Sequence, residues 1–183
     1  MLDAEEFRKA IRTFTTGITV ITVPTGGAGG GMHGMTAGSF ASVSHKPQLV
    51  SINVAKTART HAFIEKANLY TINLLKASQG ELADYFAGRL LGVALSPSYG
   101  WEGEWPVLSE SLGYFACRKW AQYDGGDHSI FVGEVVKLVR TDEAPLVNSR
   151  GRFHVLGDRI QHRFFRERQL YDEQLREASK ASS

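Results

Sequence analysis

The sequence predicts a mainly β fold, an antiparallel barrel or sandwich with helices at its periphery. β-branched and aromatic runs such as "GITVITVP", "PQLVSINVA" and "HSIFVGEVVKLVR" recur along the chain. Most of these runs are joined by segments too short to hold a crossover helix, which makes the neighbouring strands antiparallel. Helical periodicity is confined to three or four stretches, against six or seven strand-like runs.

Taken in order, "DAEEFRKAIRTF" opens with Asp3 three residues before Glu6, and Phe7, Ala10, Ile11 and Phe14 repeat at helical spacing. "GITVITVP" is the first strand, stopped by Pro24. The tract "TGGAGGGMHG" is a hairpin tip, and "MTAGSFASVS" is the returning strand. After a turn at His45 to Pro47, "PQLVSINVA" is a third strand, "TARTHAFIEKA" a helix and "NLYTINLL" a fourth strand. "SQGELADYFAGR" is a further helix with Ser78 as its candidate cap. Leu90 to Pro106 is expected to be a loop carrying Trp101 and Trp105. "LGYFACRKWAQY" and "HSIFVGEVVKLVR" are two long strands around "DGGD", followed by a short strand "GRFHVL". Ile160, Phe164, Tyr171, Leu175 and Ala178 share one face of a carboxy-terminal helix.

With 183 residues, 43% hydrophobic and 22% charged, the chain is expected to form one domain, 1–183, with 158–183 as a helical tail. No apolar run reaches the roughly 20 residues of a membrane span, and the amino terminus is too charged for a secretory signal, so a cytoplasmic protein without a membrane partner is expected. The one cysteine, Cys117, excludes an internal disulfide and a cysteine-clustered metal site, and no metal is expected. In "GYFACRKW" it reads as a small buried hydrophobe.

Charge is distributed unevenly. Between Glu6 and Glu65 there is no Asp or Glu, while Arg8, Lys9, Arg12, Lys46, Lys56 and Arg59 fall inside that window. Such a field attracts anions. No basic repeat, zinc-finger spacing or arginine-rich helix accompanies it, so a small phosphorylated ligand suits it better than nucleic acid. Gly29, Gly31 and Gly34 match the dinucleotide spacing G-x-G-x-x-G, but a strand rather than a helix follows and no acid stands at ribose distance. No serine lies in a G-x-S-x-G elbow.

Two stretches remain. "GMTAGSFASVS", Gly34 to Ser44, places small and hydroxyl residues where a strand normally carries bulky ones. That suits a backbone brought close to a planar ring, and equally a crowded sheet corner. In "NVAKTARTH", Lys56, Thr57, Arg59 and Thr60 gather at a helix start, as a phosphate site or a solvated cap would have them. His128, after "DGGD", reads on its own as a turn residue.

Together these segments resemble the flavin reductase-like family with an FMN-binding split barrel. The motifs are "FRKAIRTFTTGITVIT", "GMTAGSFASVSHKPQLV", "NVAKTARTHAFI", "ELADYFAG" and "GDHSIFVGEV", and they run from Phe7 to Phe153. The resemblance implies an antiparallel split β-barrel and a homodimer binding FMN or FAD, with NADH or NADPH as co-substrate. Met35, Thr36, Ala37, Ser39 and Phe40 would line the flavin ring. Asn53, Ala55, Thr57, Thr60 and His61 would follow the ribityl and phosphate, with Lys56 or Arg59 supplying charge. His128 would be the catalytic residue near the nicotinamide and Phe153 an aromatic neighbour of the ring. Gly38 departs from the pattern, since members more often carry serine there.

The implied activity is NAD(P)H-dependent flavin reduction that supplies a separate monooxygenase. The rivals are an FMN-holding electron carrier resembling flavoredoxin and a reductase of another acceptor, such as a corrin cobalt. A pyridoxal-phosphate-type oxidase lacks its arginine-rich carboxy-terminal signature here. His128 and the phosphate stretch are expected to lie apart.

Overall fold

The computed structural model describes residues 2–26, 29–90 and 95–158. The expected carboxy-terminal helix lies outside the described residues. Asp3 caps the first helix, α1 (Ala4–Arg12), by accepting from the Glu5 N–H at 3.1 Å. None of its residues is buried. Then come β1 (Thr16–Gly17), β2 (Thr19–Pro24), β3 (Met32–Ala37), β4 (Ala41–His45), β5 (Gln48–Ala55), α2 (Arg59–Ala67) and β6 (Leu69–Leu74). The remainder is α3 (Gly80–Phe86), β7 (Tyr99–Glu102), β8 (Trp105–Leu108), β9 (Gly113–Gly125), β10 (His128–Arg140), β11 (Val147–Ser149) and β12 (Arg152–His154).

Seven strands form one antiparallel sheet in the order β3-β2-β6-β9-β10-β5-β4. Its two edge strands, β3 and β4, are consecutive in the chain and separated only by Gly38, Ser39 and Phe40. Laid flat, seven strands would hold the edges roughly 29 Å apart, whereas the link from Ala37 to Ala41 reaches about 14 Å at most. The sheet therefore curls so that its edges approach at this link, leaving a seam between them, an arrangement that fits the expected split barrel.

Burial accounts for the strand sequences. β2 is buried along nearly its whole length because both faces are covered: Ile21 and Val23 enter one apolar cluster with Ile52, Ile72 and Phe131, while Val20 enters a second with Ile18, Leu75 and Leu108. Each fully buried Ile or Val contributes about 1.5–3 kcal/mol. Buried Asn73 is fully used: its Nδ2 donates to the Val20 carbonyl and to Thr22 Oγ1, each at 2.9 Å, and its Oδ1 accepts from the Leu108 N–H at 2.9 Å. Cys117 is buried and free, its thiol pushed up to about 12 by desolvation.

Four sequence expectations change. "MTAGSFASVS" is two strands rather than one, broken at Gly38, where a Cβ would stand 3.0 Å from Thr16 Oγ1. The expected loop before Pro106 contains the β7–β8 hairpin, because Trp101 and Trp105 give partly buried strand residues rather than a solvated tip. β11 was not foreseen; its three residues are too few to show a period. The residue before α3 is Gln79, whose side chain accepts from the Lys76 N–H, and Ser78 does not cap the helix.

Candidate functional site

The seam is lined on one side by β3 and Gly38–Phe40, and on the other by the end of β5 and the start of α2. The two sides touch at Ser39, whose hydroxyl accepts from the Asn53 N–H at 3.0 Å and donates to the Asn53 carbonyl at 3.1 Å. Ala41 pairs with Ser51, so the Ser39 hydroxyl extends that pairing by one step ahead of the first residue of β4. Phe40 stacks on Phe115, ring centroids 5.4 Å apart.

The β3 side chains are spent within the protein. Met35 packs on the first cluster, Thr36 Oγ1 donates to the Ala83 carbonyl of α3 at 2.6 Å, and buried Ala37 accepts from Thr19 Oγ1 at 2.8 Å. What this strand offers the seam is its edge: a backbone row with no strand partner on the outer side, among the described residues, and little side-chain bulk in front of it. The excess of small and hydroxyl residues follows from both needs.

At the start of α2, Ala58 provides no side-chain cap and the first turn carries no acid. The helix dipole and the unmatched N–H groups therefore favour an anion there. Thr57 and Arg59 are exposed, and Arg59 has no ion-pair partner among the described residues. Lys56 is paired, its Nζ 2.6 Å from Asp124 Oδ2, and that carboxyl is held below its usual range by Lys56 and by the Gly126 N–H. The acid-free window is thus not one free basic patch. Lys9 is likewise paired, with Glu5 and Glu6.

Thr60 and His61 turn inward rather than lining a ligand surface. Thr60 is 1% exposed and its Oγ1 lies 2.9 Å from Nε2 of His33 on β3. His61 is tied at both nitrogens, Nε2 to Ser129 Oγ at 2.8 Å and Nδ1 to Glu65 at 3.4 Å, with its ring edge-on to Phe131. Adjacent helix positions point about 100° apart, so these two residues bind α2 to different walls, Thr60 to β3 and His61 to β10.

His128 starts β10 directly opposite Ala55, so the expected separation from the phosphate stretch is not found. The Lys56 N–H donates to the Asp127 carbonyl at 3.0 Å, knitting the two segments together. The turn is made at Gly126, with φ +79°, which glycine adopts without strain. His128 Nδ1 donates to Asp127 Oδ1 at 2.7 Å, which holds that carboxyl below its usual range. The tautomer is thereby set, and Nε2 has no partner among the described residues.

Phe153 stands apart from this group. It packs on the second cluster, beneath Gly80, because β12 pairs with β11 outside the seven-stranded sheet. Sequence reasoning missed His33, although its alternation with Met35 and Ala37 puts all three on one strand face. It also missed Asp124, whose pairing with Lys56 spans 68 residues and leaves no local signal.

Hollows border this region among the described residues, a small one of about 130 Å³ lying against Phe40 and Thr16. One of about 410 Å³ lies between β3 and α3, lined by His33, Gly34, Tyr85, Phe86 and Tyr99 among others. Another of about 420 Å³ lies at the far end of α2, against Phe63, Lys66 and Glu104, and holds none of the anticipated residues. Among the described residues no His, Cys, Asp and Glu cluster could hold a metal ion. No helix there is long and apolar enough to cross a membrane.

A family model described as "Flavin reductase like domain" matches residues 11–157. The chain is 40% identical over 153 residues to the FMN reductase (NADH) SmoA of Agrobacterium fabrum, covering 82% of this chain and 85% of that one. It is 34% identical over 152 residues to the reductase component of 4-nitrophenol 4-monooxygenase/4-nitrocatechol 2-monooxygenase of Rhodococcus opacus, covering 83% and 80%. The solved structure of the flavin reductase PheA2 superposes with a TM-score of 0.81 at 34% identity, covering 86% of this chain and 100% of that one.

Proposed function

The chain belongs to the flavin reductase-like family, and from that premise we propose that it reduces FMN or FAD with NADH and releases the reduced flavin to a partner monooxygenase. The observation that supports it most directly is the seam: a strand edge and an Arg59 that are unpaired among the described residues, the Ser39–Asn53 lock, and an uncapped helix start. These fit a planar ring that carries an anionic tail.

The residues then take the following parts. The β3 edge and Gly38–Phe40 lie along the ring, with Phe40 held by Phe115. Asn53, Ala55 and Thr57 follow the ribityl chain, and Arg59 with the first turn of α2 neutralises the phosphate. Lys56 is a reserve of charge, since its exposed pair with Asp124 is worth only about 0–1 kcal/mol and a phosphate can displace it. Thr60 and His61 act indirectly by setting α2. His128, fixed by Asp127, presents Nε2 towards the nicotinamide. A flavin held there would supply the redox chemistry, taking up the hydride equivalent of NADH with one proton to give reduced flavin and NAD⁺.

A second copy of the chain is the proposed cover for α1. Phe7 and Ile11 on its apolar face are 54% and 57% exposed and belong to neither apolar cluster of the described residues. A homodimer would bury them.

The test is stopped-flow reduction with NADH, with and without excess free flavin. Multiple turnovers of free flavin support the reductase; a single reduction that does not recycle identifies a flavin-holding carrier instead.

A further inference from the structure

We infer that His33 is a positioning residue for the phosphate end of the flavin, acting through Thr60. The inference rests on the flavin reading above and goes beyond it, since it assigns a role to a side chain outside the expected site. Among the described residues, the element suited to anchor a phosphate here is the first turn of α2, and no side chain of its own caps that turn. Its orientation depends on what grips it laterally. On the β10 side the grip is His61 with Ser129; on the β3 side it is His33 Nε2 with Thr60 Oγ1 at 2.9 Å.

His33 is well braced for that part. β3 holds it in register opposite Val23, and its ring packs on Phe63, one turn further along α2, with centroids 5.0 Å apart. It therefore touches α2 at two points, Thr60 and Phe63, which fixes both the height and the rotation of the helix against the strand. Burial and the nearby Arg59 charge lower its pKa, so the ring is neutral near pH 7 and tolerates that guanidinium beside it. The same strand continues into Met35–Ser39. One rigid element thus sets the distance between the ring edge of the seam and its phosphate end.

Riboflavin, which lacks the phosphate, separates positioning from general support. Binding of FMN and of riboflavin is followed by flavin fluorescence for the parent, His33→Leu, His33→Gln and Thr60→Val, together with KM and kcat for FMN. His33→Leu is expected to weaken FMN about tenfold and raise its KM in proportion, with kcat and riboflavin affinity within about twofold. His33→Gln, which keeps a hydrogen-bonding group at similar reach, is expected to recover most of the loss. Thr60→Val should match His33→Leu, and the double variant should lose no more than either alone. Equal weakening of FMN and riboflavin, or no weakening in both His33→Leu and Thr60→Val, overturns the inference. If His33→Leu does not fold, the near-isosteric Thr60→Val decides alone. A parent that binds neither flavin removes the flavin reading itself, and this inference with it.

Discussion

A single hydroxyl, that of Ser39, satisfies both backbone groups of Asn53, accepting its N–H at 3.0 Å and donating to its carbonyl at 3.1 Å. This contact joins the two sides of the seam just where the ladder between β4 and β5 has run out.

Ser39→Ala should therefore loosen the seam. Both bonds are exposed, so water replaces part of what is lost, and the cost should be about 0.5–1.5 kcal/mol. Calorimetry should show a Tm lower by roughly 1–5 °C, with flavin affinity down severalfold. An unchanged Tm together with parental affinity would show that the bridge has no role.

His128→Asn should slow flavin reduction by NADH roughly 5-fold to several hundredfold, the range for losing one positioned hydrogen bond worth about 1–4 kcal/mol in the transition state. Although His128 faces Ala55, it is the Asp127 main-chain carbonyl that holds Lys56, so flavin affinity should stay within about threefold. Reduction at the parental rate under saturating NADH would leave His128 as a turn residue.

Arg59→Ala should weaken FMN more than Lys56→Ala does, because Arg59 has no ion-pair partner among the described residues whereas Lys56 is already paired with Asp124. Losses of about 10-fold and about 3-fold respectively are expected at low salt, shrinking at high ionic strength. Riboflavin titrations should show neither. The reverse order between the two variants would move the phosphate towards the β9–β10 turn.

Stability should fall with acid through His33. Its folded pKa lies below the ordinary 6.5, chiefly by burial and then by Arg59, so the unfolded chain takes up the proton first. The contribution is fully present above 6.5 and is lost progressively below it, until the folded state also protonates. Urea midpoints of the parent and His33→Gln between pH 8 and 5 should diverge accordingly, the variant having the flatter profile. Parallel profiles would count against a neutral, buried imidazole.

Phe7→Ser with Ile11→Ser should weaken self-association without unfolding the barrel, since α1 contributes no buried residue to it. Sedimentation equilibrium should shift towards the 20.2 kDa monomer. If the parent is already a monomer with full flavin affinity, the dimer proposal fails.

Much of this protein is written in local pattern. Antiparallel class, the long β9–β10 pair, α1 with its Asp3 cap and the start of α2 follow from period and turn chemistry, which act over a few residues. The small-residue stretch and the "NVAKTARTH" run were legible for the same reason: each is a dense local departure from ordinary strand or helix composition. What only the tertiary structure decided are relationships across long sequence separations. The break at Gly38 depends on Thr16, 22 residues earlier; Lys56 is paired by Asp124; and His33 meets Thr60 only because the sheet curls and lays α2 against β3. The resemblance would set Thr60 and His61 along the ribityl and phosphate, and the ties of these two side chains to β3 and β10 are visible only in the fold, since helical rotation and the packing of α2, not residue type, determine what each side chain meets.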